Sequence, residues 1–174
     1  MIDLTDEFLQ PSTGTICYWP THLDSPVAGT WSITIPLAPF SADDPYEPAT
    51  FRPGTGGPEL VTTEIMLDFI TLPADTLAVL SQRTFTFPVN YADGYIDGSI
   101  YLIAAHCLVN VARIEFGPAA GNQISATLDA HFDFDAASGI EIRNRTAVLR
   151  TALRLEVGQP LSSPQAPPKG AEPV

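Results

Sequence analysis

Ile124-Ser125-Ala126-Thr127-Leu128-Asp129-Ala130-His131-Phe132-Asp133-Phe134-Asp135 sets an apolar residue at every even position from Ile124 to Phe134. Alternation of period two is the mark of a strand with one face in a core and the other toward water. Ala136-Ala137-Ser138-Gly139 then turns the chain, and Ile140 to Val157 returns as a hairpin partner. In the return strand Ile140, Ile142 and Val148 are even, whereas Leu149, Leu153, Leu155 and Val157 are odd. A flat strand would send these two sets to opposite faces. A β-bulge near 147–149 is therefore expected. Thr146 to Glu156 also contains good helix formers, but the hairpin partner directly before it favours the strand.

Upstream, the same pattern recurs in short pieces. Gly14 to Trp19 and Gly29 to Ile35 read as strands separated by a loop over Pro20 to Pro26. Glu59 to Leu72 alternates too, with Val61, Ile65, Leu67 and Phe69 on one face, although Met66 and Ile70 interrupt the polar side. Thr84 to Phe87 is a strand stopped by Pro88, and Gly98 to His106 and Leu108 to Phe116 follow. Asp93-Gly94, Asp97-Gly98 and the run Gly117 to Asn122 carry turn residues. Asp75 to Gln82 is the best helix candidate, with Asp75 as its cap and Leu77 and Leu80 on its apolar side.

These elements predict an all-β fold, an antiparallel β-sandwich or open barrel of about eight strands with at most one or two short helices. Residues 1–157 are expected to form one domain, interrupted over 36–58 by a long loop with six prolines and a glycine cluster. Residues 158–174 hold five prolines and little to pack, so a disordered tail is expected there.

The net charge of −12 is unevenly spread. Up to Gln82 there are eleven acidic residues against Arg52 alone; from Arg83 onward there are nine acidic and seven basic. Such a field repels phosphate backbones, which argues against nucleic acid and points to a basic protein as partner. Asp43, Asp44 and Glu47, in the long loop, are the candidate partner-binding residues. No apolar run approaches the ~18 residues of a spanning helix, and Met1 to Glu7 resembles no export signal. A cytoplasmic protein without membrane contact is expected, with Cys17 and Cys107 as reduced thiols.

Motifs that would name a reaction are absent. The serines lack a nucleophile-elbow context, and Gly54-Thr55-Gly56-Gly57 lacks the lysine of a phosphate loop. A calcium loop beginning at Asp93 would need an oxygen ligand where Tyr95 stands and a glutamate where Ala104 stands. His106-Cys107 would point to opposite faces of a strand and could not act together. His131, Asp133 and Asp135 share one face with Asp129, which makes them the candidate metal ligands. Arg143 and Arg145 on the return strand favour an ion-pair ladder instead, so neither metal nor cofactor is expected. Trp19, Trp31, Tyr46, Tyr91 and Tyr95 are candidates for an aromatic platform or for core packing.

Two functions fit. The first is a non-enzymatic acidic binding module, for instance an inhibitor or immunity-type protein masking a basic partner. The second is a small-ligand binder or enzyme with an aromatic-lined cavity inside the barrel or sandwich.

Overall fold

A computed structural model describes residues 8–41, 60–89, 92–102, 105–134 and 143–157. The elements in chain order are β1 (Gly14–Tyr18), β2 (Trp31–Pro36), β3 (Phe40–Ser41), β4 (Leu60–Val61), β5 (Glu64–Ile70), α1 (Leu77–Leu80), β6 (Thr84–Thr86), β7 (Asp97–Leu102), β8 (Ala105–Ala120), β9 (Gln123–Asp133) and β10 (Arg145–Val157). The all-β expectation holds, and of the two architectures it is the barrel that forms. Strands β1, β2, β5, β7, β8, β9 and β10 follow one another around the wall, and β10 closes on β1. β6 pairs with β8 beyond the stretch that β7 occupies. β3 and β4 make a separate two-stranded ribbon at the base of the long loop.

Seven is an odd number, and this fixes one feature of the closure. In an up-and-down barrel each strand reverses its predecessor, so the first and last of seven run the same way. β1 and β10 accordingly pair in parallel, and every other pairing in the wall is antiparallel.

The interior is filled with side chains. Ile16, Ile33, Leu67, Ile100, Val109, Leu128 and Leu153, one from each strand, are all buried to within 1% of full. All the even residues of β9 named above, Ile124 to Ala130 and Phe132, lie in this core, and so does Phe134. At the end where β1 and β5 finish, Trp31 packs on Tyr18 and donates through Nε1 to the Ala74 carbonyl, 2.7 Å away. The connection that follows contributes buried Leu72, Leu77 and Leu80.

Several local expectations need correction. β10 holds an unbroken register with β9 from Arg145 to Arg154, without the expected bulge and without the helical alternative. Leu149 and Leu153 point inward, and Val148 simply stands in solvent, half exposed. Ile140 and Ile142, the other half of the parity conflict, lie outside the described residues. The irregularities sit elsewhere. In β5, Phe69 adopts a left-handed φ of 57°, which turns its own ring outward and Ile70 into the core. In β8 the register shifts between Val111 and Arg113 and again between Phe116 and Ala119. Pro118 falls in the second bulge, where its missing N–H is tolerated, so Gly117–Pro118 is no turn. The reversal comes at Gly121 (φ 60°) and Asn122. α1 is a single turn preceded by Thr76 rather than capped by Asp75. Residues 158–174, read as a tail, lie outside the described residues.

Candidate binding surface

Because the wall is a meander, the chain's order becomes the barrel's circumference. The acidic first half of the sequence builds β1, β2 and β5, with β7 beside them; the arginines come with β8 and β10. Strands β1, β2, β5 and β7 hold no Lys or Arg, and their outward side chains include Glu64, Asp68 and Asp97. Arg113, Arg145, Arg150 and Arg154 belong to the opposite side. Among the described strands, β1, β2, β5 and β7 together thus carry carboxylates without Lys or Arg, whereas β8, β9 and β10 together carry both signs.

Asp68 and Asp97 stand directly opposite each other in the β5–β7 register. Like charges facing across a ladder oppose folding. Among the described residues neither makes an ion pair. Asp68 instead accepts from Ser32 Oγ at 2.5 Å, and Ser32 in turn accepts from Trp19 Nε1 at 2.8 Å. This chain of hydrogen bonds fixes the carboxylate in place.

Four residues back along β5, about 13 Å away at 3.3 Å per residue, Glu64 borders a shallow cleft of about 450 Å³. Its lining includes Pro36, Met66 and Tyr101. Tyr101 is 55% exposed and lies against the His106 ring at 4.7 Å. An exposed aromatic beside a carboxylate suits a guanidinium or ammonium group, which can stack on the ring while meeting the anion.

The residues singled out from sequence fall elsewhere. Asp129, His131 and Asp133 do alternate with buried Ala130 and Phe132 along β9 and with Phe134 just past its end. Asp129 pairs with Arg113 of β8 at 2.8 Å, and Arg113 also holds Glu115 at 2.8 Å. Arg145 faces Phe132 in register, and His131 meets Thr146 at 3.3 Å. On the β8 side of β9 a ladder exists, with Arg113 holding Asp129. Among the described residues no three His, Cys, Asp or Glu side chains are grouped so as to hold a metal ion. Asp135 lies outside the described residues, as do Asp43, Asp44, Glu47, Tyr46 and Tyr91. Trp31 is wholly buried, and His106 and Cys107 do face opposite ways, His106 outward and Cys107 inward.

Neither thiol is in a disulfide; Cys107 is buried and Cys17 half-buried on the outer face. Burial, and secondarily a carboxylate (Glu156 for Cys17, Asp133 for Cys107), pushes each above the ordinary 9.0. The folded chain therefore keeps both protonated where the unfolded chain begins to ionise. Their contribution to stability is complete below the ordinary thiol value and is lost as the pH rises through the raised one. With a small alkylating reagent near neutrality, Cys17 should react slowly and Cys107 more slowly still, and unfolding without reductant should release both thiols. Recovery of no thiol would show a disulfide.

Glu64, Asp97, Met66 and Tyr101 were not found by sequence reasoning. The one available signal was Met66, an apolar residue on an otherwise polar face. Among the described residues no helix is long and apolar enough to cross a membrane. No family model matches the chain, nor does any curated protein or solved structure show significant similarity to it.

Proposed function

We propose that this protein is a non-enzymatic binding module that presents the acidic β5–β7 wall to a basic protein, as an inhibitor or immunity-type protein in the cytoplasm would. The observation that carries the reading is the facing pair Asp68–Asp97, a like-charge arrangement that opposes folding and that a partner's cation would relieve. Glu64 and Tyr101 supply a second anchor on the same wall. The filled interior also supports recognition on the outside over a ligand enclosed by the barrel.

The test compares the wild type with Asp97→Asn and with the double variant Glu64→Lys/Asp97→Lys. Asp97→Asn should leave stability unchanged or raise it by about 0.2–1 kcal/mol at low salt, yet weaken capture of a basic partner. The double reversal should abolish a capture that is itself lost at high salt. Equal capture by all three proteins would rule the wall out. A small molecule retained by the purified chain would favour the enclosed-ligand alternative.

A further inference from the structure

The barrel wall is split beside β10. β1 accompanies β10 only from Leu153 to Val157, although β10 begins eight residues earlier at Arg145. The residues before β1 lean away toward β2: Ser12 N donates to Pro36 O, and Ala38 N donates to Gln10 O, both at 2.8 Å. In an antiparallel pairing this leaves Pro11 facing β10, and proline has no N–H to offer. The ladder therefore stops near Ser12, whose carbonyl accepts from Thr151 Oγ1 at 2.6 Å. Below that point lies a cleft of about 570 Å³ between Leu9–Pro11 and Arg145–Arg150.

One wall of this cleft is a strand edge. Leu155 N donates to Asn122 O, which assigns the odd residues of β10 to the β9 ladder. The even residues Thr146, Val148 and Arg150 then turn N–H and C=O into the cleft, where among the described residues no strand pairs with them. Their side chains are all exposed on the outer face. Arg150 makes the rim cationic, in a protein whose net charge is −12.

We infer that this split is a strand-addition site for an extended acidic peptide of a partner protein. Backbone groups of Thr146, Val148 and Arg150 give the added strand its hydrogen bonds, Val148 meets an apolar side chain, and Arg150 meets a carboxylate. The site lies on the far side of the barrel from the acidic wall and does not depend on the function proposed above.

The probe is a short fluorescein-labelled peptide alternating valine and glutamate, titrated into the full chain by fluorescence anisotropy. Two counterparts accompany it, one with lysine for glutamate and one N-methylated at alternate residues. The acidic peptide should bind at least about tenfold more tightly than either. Arg150→Glu should cost at least about tenfold in affinity. Val148→Pro removes an N–H that faces the cleft and spares the β9 ladder, so it should weaken binding with the thermal midpoint retained. Should Val148→Pro fail to fold, Arg150→Glu and the N-methylated peptide still decide. Equal binding of the lysine or N-methylated peptide overturns the inference, and so does no binding at all. Binding that appears only after deletion of residues 1–7 makes the chain's own arm the occupant, and a dimer that Arg150→Glu dissociates makes it a second copy; either result overturns the inference.

Discussion

Trp31→Ala will remove about 3–5 kcal/mol of stability, the largest loss expected of any single truncation in the barrel. Trp31 is wholly buried at the start of β2, and its ring packs on Tyr18 at 5.2 Å between centroids. Its indole also ties the β5–α1 connection to the barrel end through the Ala74 carbonyl. Alanine loses the ring's contacts, leaves a cavity that β-strands on a closed wall cannot collapse, and orphans that carbonyl. Trp31→Phe separates the terms. It keeps most of the apolar volume and loses the hydrogen bond, so it should cost about 1–3 kcal/mol. Urea unfolding of both variants measures the difference. A loss below about 1 kcal/mol for Trp31→Ala would mean that Trp31 lies outside the core.

How much of this was legible in the sequence depended on whether a strand kept its parity. β9 did, and every inward residue from Ile124 to Phe134 could be named from alternation alone. β5 did not: Phe69 takes a left-handed backbone with no Gly or Asn to announce it, so simple alternation puts Phe69 and Ile70 on each other's faces. β8 shifts twice, and its Pro118 looks locally like a turn because a bulge and a turn use the same residues. Val148 misled in the opposite direction. An exposed valine on a regular strand breaks the apolar parity as a bulge would, yet β10 has none there.

The candidate surface shows the same division. The lack of Lys and Arg in β1, β2, β5 and β7 was readable, because a meander lays consecutive sequence onto neighbouring strands. The residues of the surface were not, because Asp68 and Asp97 meet through a register between strands separated by α1 and β6. No local pattern encodes such a pairing. For the same reason Arg113 beside Asp129 has no signal in the sequence: the hairpin makes β10 the evident neighbour of β9, while the closed wall adds a second neighbour in β8.

Gly98→Ala is the other substitution expected to be severe, and Asp97-Gly98 is where a turn signal concealed a packing requirement. Gly98 lies inside β7, buried, opposite Leu67 of β5. A Cβ there would sit 2.1 Å from the Val109 carbonyl oxygen of β8 and 2.9 Å from Leu67 Cδ2. Leu67 can change rotamer, but the Val109 carbonyl belongs to the backbone of the closed wall and cannot yield without separating β7 from β8. Overpacking commonly costs about 1–3 kcal/mol, and a backbone clash this close belongs at or above the top of that range. A loss of about 3 kcal/mol corresponds to a fall of about 6–12 °C in Tm for a chain of this length. Gly117→Ala is the matched control. Its added Cβ would also approach to 2.1 Å, but the atom it meets is Ser125 Oγ, which can rotate into solvent. Calorimetry should show Gly98→Ala strongly destabilised and Gly117→Ala close to wild type. Equal losses would mean that Ser125 is locked in place, and no loss at Gly98 would mean that β7 and β8 are not held at this spacing.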